Sequence, residues 1–211
     1  LANGLQKGDV VAVYLENRPE LLAIVTGLAK IGVISALVNT SQTGKVLTHS
    51  VNLVKPKMAI IGEELVGNFS EVLGDLDIDS NKLFWFADED TQKNPGTPPA
   101  GYRNLATEIS PQPTYNPATT NQNYRNDGLF YIYTSGTTGM PKAAIFSHGR
   151  WMKAYGAFGY TMQMGKTDVI YVTLPFYHAT AMCVCWGSAL AGASGVAMRR
   201  KFSAREFWED C

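Results

Sequence analysis

The stretch Tyr131-Ile-Tyr-Thr-Ser-Gly-Thr-Thr-Gly-Met-Pro-Lys142 is the most informative part of this sequence. Apolar runs at Leu129–Tyr133 and Ala143–Phe146 predict one strand before the loop and one after it. Glycines let backbone N–H groups approach a ligand closely, and successive N–H groups in such a turn form a concave nest for phosphate oxygens. The hydroxyl groups and the ammonium of Lys142 add further donors. The stretch therefore predicts a strand, an anion-binding loop and a second strand.

The candidate phosphate-binding residues of this loop are glycines, residues with a hydroxyl group, and one lysine. They are Thr134, Ser135, Gly136, Thr137, Thr138, Gly139 and Lys142. The loop is not a Walker A loop, because that motif places G-K-[ST] directly before a helix, whereas here the lysine follows Pro141. The alternative interpretation is a glycine- and hydroxyl-rich turn that joins two strands and binds nothing.

Nine consecutive positions, Thr134 to Lys142, follow the pattern Thr-Ser-Gly-Thr-Thr-Gly-x-Pro-Lys. This pattern resembles the ATP-phosphate loop of the acyl-adenylating superfamily, which includes acyl-CoA synthetases, firefly luciferases and peptide-synthetase adenylation domains. The resemblance implies that the loop holds the β- and γ-phosphates of ATP, with Thr137 and Thr138 as hydrogen-bond donors and Lys142 as the balancing charge. It also implies Mg²⁺ bridging phosphate oxygens, and coenzyme A as the second co-substrate.

A second motif, Leu-Pro-x-x-His, occupies Leu174–His178 at the end of a predicted strand over Asp168–Leu174. Leu174 lies 32 residues after Lys142, and at this distance the motif resembles the next one of the same superfamily. The resemblance places His178 at the acyl pocket, where it would help to orient the carboxylate substrate. Alternatively, His178 only caps a helix.

Four further segments resemble fatty acid transport proteins and very-long-chain acyl-CoA synthetases: Asn17-Arg-Pro-Glu20, Leu37-Val-Asn-Thr40, Arg200-Lys-Phe-Ser-Ala204 and Phe207-Trp-Glu-Asp-Cys211. The resemblance implies an ATP-dependent long- or very-long-chain fatty acid–CoA ligase, whose substrates are fatty acid, ATP and coenzyme A. Two alternatives remain open. One is a lipid-binding or transport protein with the same fold, and the other is an adenylating enzyme for a different carboxylic acid.

Other motifs of the superfamily do not occur in these 211 residues. Relatives carry Tyr-Gly-x-Thr-Glu, Tyr-Arg-Thr-Gly-Asp and a lid lysine farther along, beyond the position of Cys211. We therefore expect a fragment of the AMP-binding N-terminal domain, inactive alone, whose adenine, ribose, metal and catalytic-lysine residues lie elsewhere. No catalytic residue and no metal ligand is assigned within the chain.

Composition excludes some classes of protein. Eighteen Lys and Arg balance 18 Asp and Glu, so no basic field indicates nucleic acid binding. The three cysteines lack metal-site spacing, which favours idle thiols in a reducing compartment, either the cytoplasm or the cytosolic face of a membrane. Arg199, Arg200, Lys201 and Arg205 form either a solvated basic face or a peripheral contact with acidic lipids. Acyl chain length and oligomeric state are not specified by the sequence.

The predicted fold class is α/β, a mostly parallel sheet with crossover helices, because buried strands and amphipathic helices alternate. The predicted strands are Val10–Leu15, Val33–Val38, Met58–Ile61 and Leu83–Phe86. A first helix is predicted to begin after Asn17, which would be its N-cap. Two further helices are predicted over Gln42–Leu53 and Glu63–Leu73. We divide the chain into a first α/β segment (1–87), a proline-rich loop or linker (88–126) containing at most a short helix over Tyr102–Ile109, and a second α/β segment (127–211).

In the second segment, Ser147 is predicted to cap a helix that ends near Met162. The aromatic and methionine side chains of this helix either pack in the core or form a wall facing the acyl group. His148, at its start, either has a structural role or faces the nucleotide. Ala179–Met198 has no charge and is interpreted as a buried helix, a glycine turn and a short strand, and not as a membrane span.

Overall fold

The computed structural model describes residues 2–88, 96–134, 139–192 and 195–211. Within them, one large sheet has seven strands in the order β5-β4-β3-β1-β2-β6-β7. Its strands are β1 (Val10–Tyr14), β2 (Ile34–Leu37), β3 (Met58–Gly62), β4 (Leu83–Phe86), β5 (Arg103–Asn104), β6 (Gly128–Thr134) and β7 (Lys142–Ser147). Every neighbouring pair is parallel except β6 and β7, which form an antiparallel hairpin. The predicted mostly parallel α/β fold is confirmed.

The α-helices of the described residues are α1 (Pro19–Lys30), α2 (Gly44–Leu53), α3 (Val66–Val72), α4 (Leu105–Ile109), α5 (His148–Thr161), α6 (Gly187–Gly192) and α7 (Phe207–Asp210). Helices α1 and α2 connect parallel strands, so β1, β2 and β3 are buried along their whole length. The predicted helix over Glu63–Leu73 is interrupted, since 3₁₀ turns at Glu63–Leu65 and Leu73–Asp75 flank α3.

Two further strands, β8 (Val169–Val172) and β9 (Gly195–Met198), form a separate parallel pair. A π-helical stretch over Thr180–Trp186 leads into α6 between them. The charge-free segment therefore contains a helical part and then a strand, as predicted from the sequence. No helix in the described ranges is long and apolar enough to cross a membrane.

Asn17 does not cap α1, contrary to the prediction. The N-cap is Arg18, without a side-chain cap bond, and Pro19 occupies the first turn. The amide group of Asn17 is instead fully engaged with residues more than 150 positions away. Tertiary partners have displaced the local capping interaction.

Residues 96–126 of the proline-rich segment contribute a short strand to the main sheet in addition to the short helix expected there. Within the predicted helix Tyr102–Ile109, the first residues form β5, which pairs with β4, and only Leu105–Ile109 is helical. Tyr102 and Leu105 are buried. The main sheet takes strands from all three predicted segments, and the division at 87 and 126 stays a prediction.

Ser147 caps α5 as predicted, since its Oγ accepts a hydrogen bond from the N–H of Arg150. One face of α5 packs inward: the Trp151 ring lies edge-on to Phe130 and to Tyr155, and its Nε1 donates to the carbonyl of Met182. The other aromatic and methionine side chains of the helix and its end are exposed: Met152, Phe158, Tyr160 and Met162. Core packing therefore explains one face of α5 only.

Three of the four cations in the basic cluster of the tail have acidic partners, while Lys201 and Arg205 are exposed. Arg199 forms ion pairs with Glu206 and Asp210, and Arg200 pairs with Asp88. Lys201 lies 2.8 Å from Glu16. Asp88 and Glu16 lie far from Arg200 and Lys201 in the sequence, whereas Glu206 and Asp210 follow Arg199 within the tail, so both local and tertiary contacts neutralise this run of cations.

Gly32 is expected to be essential for the end of α1. Its N–H and that of Val33 donate to the carbonyls of Ala29 and Leu28, a Schellman motif, with a φ of +70°. A Cβ at Gly32 would lie 2.7 Å from Asn123 Oδ1. Gly32→Ala should therefore lower the free energy of unfolding by about 1–2 kcal/mol. Urea unfolding followed by fluorescence of the buried Trp85 measures it.

The matched control is Gly27→Ala in the interior of α1, where a Cβ would meet nothing within 4 Å. This change should stabilise the protein by about 1 kcal/mol, because alanine is the better helix former. Equal effects of the two substitutions would contradict the assignment of Gly32 to a left-handed cap.

The three cysteines should differ in reactivity. Burial raises the pKa of Cys183 to about 11, and it also raises the pKa of Cys185, whereas Cys211 is exposed. At pH 8, Cys211 should react first with a disulfide reagent, and Cys183 about 100-fold more slowly, because the thiolate is the reactive form. Mass spectrometry of timed samples identifies each site. Equal rates for Cys183 and Cys211 in the folded protein would contradict this packing.

Candidate functional site

The described ends of the glycine-rich loop are fixed by the β6–β7 hairpin. Thr134 and Lys142 lie directly opposite each other in the antiparallel register, as the last pair before the loop. Gly139 has a φ of +85°, a conformation that glycine adopts without steric cost. Thr134, Gly139 and Lys142 are all exposed. The structure therefore presents the Lys142 ammonium to solvent at the base of the loop, where it can meet an anion.

Four of the predicted phosphate-binding residues, Ser135, Gly136, Thr137 and Thr138, lie outside the described residues. Their assignment stays a prediction, and the described part of the site consists of the two ends of the loop and the elements that support them.

Helix α2 supports this hairpin through two adjacent residues. His49 Nε2 lies 2.9 Å from the carbonyl oxygen of Pro141, and the Tyr133 hydroxyl donates to the carbonyl of Ser50 at 2.7 Å. A carbonyl can only accept, so Nε2 of His49 carries the proton of this bond. Burial raises the pKa of Tyr133, so its hydroxyl remains a donor. His49, to which the sequence assigned no chemistry, holds the residue before Lys142.

A cleft of about 420 Å³ lies beside the loop, between α2 and the hairpin. His49, Leu53, Tyr131, Met140, Pro141 and Lys142 line it, together with Val54 and Ala143. Two larger cavities, of about 600 and 670 Å³, involve α1 and do not include the loop. The cleft next to Lys142 is smaller than these two cavities, but of the three it is the one that adjoins the predicted phosphate-binding residues.

His178 is exposed and ends the turn that follows β8. Its N–H donates to the carbonyl of Pro175 at 3.0 Å, and its carbonyl accepts from the N–H of Met182 at the start of the π-helical stretch. The imidazole lies against Tyr177, with ring centroids 4.7 Å apart. Backbone contacts thus fix the position of His178, while its ring is open to a ligand.

The two motifs lie on the same side of the molecule. Thr134 is at the carboxyl end of β6, and the turn to His178 is joined to the carboxyl end of β1 by Asn17. Since β2 separates β1 from β6, two strand spacings, roughly 10 Å, lie between these ends. Among the described residues, no hydrogen bond, ion pair or ring contact links His178 to the loop. A ligand that reaches both must span this gap, as ligands do at the carboxyl ends of parallel sheets.

His148 lies at the opposite end of the hairpin. It follows Ser147, which pairs with Gly128, and so it is roughly 20 Å from Lys142 along β7. Its backbone N–H donates to the carbonyl of Asp127. Burial lowers its pKa, against the opposing effect of Asp127. At this distance His148 does not reach a phosphate beside Lys142, which favours the structural role over the alternative that it faces the nucleotide.

Sequence reasoning missed the loop between β1 and α1. Glu16 pairs with Lys201, Asn17 bonds the turn after β8, and Arg18 donates to the carbonyls of Phe86 and Ala87. Arg18 is only 5% exposed and has Glu64 and Asp88 at 3.7 and 3.8 Å. The available signal was a run of polar residues directly after a fully apolar strand, a position where parallel sheets carry binding and positioning groups.

The sequence is similar to known proteins over its whole length. The profile of the family described as AMP-binding enzyme matches residues 1–211. Long-chain fatty acid transport protein 1 of Homo sapiens is 39% identical over 211 residues, which cover 99% of this chain and 31% of the relative. Medium/long-chain-fatty-acid–CoA ligase FadD6 of Mycobacterium tuberculosis is 32% identical over 217 residues, with 99% and 32% covered. The chain spans about a third of the length of these relatives.

Solved structures agree on the fold. The N-terminal domain of FACL13 from Mycobacterium tuberculosis has a TM-score of 0.77 at 22% identity, covering 99% of this chain and 48% of the other. The anthranilate CoA ligase AuaEII in complex with anthranoyl-AMP has a TM-score of 0.83 at 18% identity, covering 99% and 38%. At these identities the likeness bears on the fold alone. The match of the family profile over residues 1–211 confirms the resemblance drawn from the loop motif: the chain belongs to the AMP-binding enzyme family.

Proposed function

We propose that residues 1–211 form part of an AMP-forming ligase that joins a long- or very-long-chain fatty acid to coenzyme A. The observation that carries the proposal is the hairpin: it fixes Thr134 opposite an exposed Lys142 and places Gly139 at positive φ, at the base of a loop with the superfamily's sequence. The names of the relatives support the fatty acid, since both the transport protein and the bacterial ligase are named for long-chain substrates.

The reaction has two steps. A fatty acid carboxylate oxygen attacks the α-phosphorus of ATP, and the bond to the bridging oxygen breaks to release pyrophosphate. The thiolate of coenzyme A then attacks the acyl carbon of the acyl-adenylate and expels AMP. Both the nucleophile and ATP are anionic in the first step, so its barrier falls when the anions are positioned and their charge is balanced.

Lys142 would balance charge on the departing pyrophosphate. Its exposed ammonium is held at the loop base by the strand register and by the His49–Pro141 bond. Thr134, Ser135, Gly136, Thr137, Thr138 and Gly139 would supply backbone and hydroxyl donors to the β- and γ-phosphates. His178, exposed beside Tyr177, would border the acyl carboxylate.

No group of three or more His, Cys, Asp or Glu side chains in ranges 2–88, 96–134, 139–192 and 195–211 could hold a metal ion. No step is therefore assigned to a metal held by these residues. Magnesium is proposed to be bound chiefly by the phosphates of the nucleotide, as is common at nucleoside triphosphate sites.

A peripheral membrane contact and a location in the cytoplasm or at the cytosolic face of a membrane belong to the same proposal. The basic tail gives the membrane contact little support, because Arg199, Arg200 and Lys201 all have acidic partners. A second candidate function, lipid binding or transport without catalysis, is favoured only by the name of the transport-protein relatives. Thioester formation that requires ATP, measured on the full-length protein, separates the two.

The loop proposal is tested by Lys142→Ala and Thr138→Ala in the full-length protein. We expect ATP–pyrophosphate exchange with a long-chain fatty acid to fall by about 100-fold for Lys142→Ala, since a preorganised charge opposite the leaving group is lost. Thr138→Ala, which removes one neutral donor, should lower exchange by about tenfold. The control is Lys166→Ala, an exposed lysine in the turn between α5 and β8. Equal activity of the Lys142 and Lys166 variants would sink the loop assignment.

A second prediction concerns residues 1–211 on their own. We expect no pyrophosphate exchange above background from this polypeptide with any fatty acid, because the family's ribose, adenine and lid motifs do not occur in it. The full-length protein, assayed in parallel across a chain-length panel, should be active. Robust exchange by residues 1–211 alone would show that the missing motifs are not required.

A further inference from the structure

The amide side chain of Asn17 is buried and fully hydrogen-bonded at the junction of the two sheets. Only 6% of the residue is exposed. Its Nδ2 donates to the carbonyl oxygens of Leu174, at 3.0 Å, and Arg199, at 3.2 Å, and its Oδ1 accepts from the N–H of Phe176 at 2.8 Å. One side chain thus satisfies three backbone groups in the segments that follow β8 and β9.

Two of these bonds enclose the turn that leads to His178. Leu174 and Phe176 flank Pro175, whose own carbonyl accepts the N–H of His178 at 3.0 Å. The Phe176 side chain is fully buried and anchors the turn from inside. The position of His178 therefore depends on a chain of backbone contacts that begins at Asn17.

An asparagine is the side chain that this junction requires. It offers two donors and one acceptor in one plane, which match two carbonyls and one N–H. Aspartate has nearly the same shape, but its carboxylate would face the carbonyls of Leu174 and Arg199 with no proton to donate. A serine is too short to reach all three groups. The junction therefore requires the hydrogen-bonding pattern of asparagine at position 17, and a side chain of similar size or polarity is not enough.

The neighbours of Asn17 hold other segments, which separates its role from general stability. Glu16 contacts Lys201 in the tail, and Arg18 contacts the end of β4 through the carbonyls of Phe86 and Ala87. Loss of the Asn17 amide would leave these anchors of the loop in place. The turn at Leu174–His178 would lose its direct side-chain bonds to β1.

We propose that Asn17 is a positioning residue for the acyl half of the site: it acts through the Leu174–Phe176 turn to hold His178 where the carboxylate substrate binds. The proposal rests on the proposed function for the acyl role of His178. It assigns Asn17 no contact with substrate, and it predicts a change in fatty acid recognition with little change in nucleotide recognition.

Hydrogen exchange of the full-length protein tests the structural step without any assay of activity. In Asn17→Ala, the amide of Phe176 should exchange about tenfold faster or more, since its buried acceptor is gone. Amides of β1, such as Val13, should keep their protection and report that the protein is folded. Unchanged protection of Phe176 would overturn the proposal.

Asn52→Ala is the matched control. Asn52 makes the same kind of bridge at another place: its Nδ2 donates to the carbonyl of Asp75 at 2.8 Å, and its Oδ1 accepts from the N–H of Asp77 at 2.9 Å. This substitution should speed exchange at Asp77 and leave Phe176 unchanged. It should also leave both Michaelis constants unchanged.

Kinetics test the acyl step. In pyrophosphate exchange, Asn17→Ala should raise KM for the fatty acid about tenfold, with KM for ATP within about twofold of the unsubstituted protein. Asn17→Asp should show the same split, despite its similar size. A purely structural role would lower kcat through a smaller folded fraction and leave both KM values unchanged, and that result would overturn the proposal.

A double substitution isolates the path through His178. If Asn17 acts by placing His178, Asn17→Ala should have little further effect on KM for the fatty acid in a His178→Ala background. Additive effects would overturn that path. If the unsubstituted protein shows no exchange with any fatty acid, the proposed function fails and the acyl role of Asn17 fails with it. Hydrogen exchange would then still decide whether Asn17 holds the turn.

Discussion

Three consecutive side chains after β1 hold together parts of the molecule that are far apart in sequence. Glu16 reaches the tail, Asn17 reaches the turn after β8, and Arg18 reaches the end of β4. All three follow directly after a strand that is completely buried. This short loop ties the main sheet directly to the segments after β8 and β9, and so to the turn that carries the second motif.

The buried charges around that loop differ in role from the exposed charge at the glycine-rich loop. Arg18 is enclosed by carbonyls and by Glu64 and Asp88, and removing one partner of such a group typically costs about 3–5 kcal/mol. At this location, Arg18 and its partners hold the surrounding segments in one arrangement. Lys142, by contrast, is exposed at a hairpin end and keeps its charge available. The fold thus combines a rigid, internally neutralised junction with an accessible cation on its rim.

Local signals in the sequence identified much of this architecture. The strand at Leu83–Phe86 has the predicted bounds, Ser147 caps α5, and the loop lies between two strands. Each of these depends on residues close together in the chain.

The predictions that failed concern residues whose contacts are far away in the chain or that have no local pattern. Asn17 is a good capping residue by type, and nothing nearby shows that its amide is occupied by residues 157 and 182 positions away. The cations Arg199–Lys201 look the same in a sequence whether they face water or carboxylates. The π-helical stretch at Thr180–Trp186 also has no recognisable local pattern. The candidate site was predictable where a contiguous motif defines it, and unpredictable where tertiary partners do.

Pro141 limits the backbone pairing of the β6–β7 hairpin at the base of the loop. In an antiparallel ladder, each residue of a hydrogen-bonded pair offers both its N–H and its carbonyl to the residue opposite. Pro141 lacks the N–H, and its carbonyl is already taken by His49 on α2. Residue 141 therefore cannot form a hydrogen-bonded pair of the β6–β7 ladder. Its carbonyl instead ties the base of the glycine-rich loop to α2, so the last residue before Lys142 belongs to the contact between the hairpin and a helix.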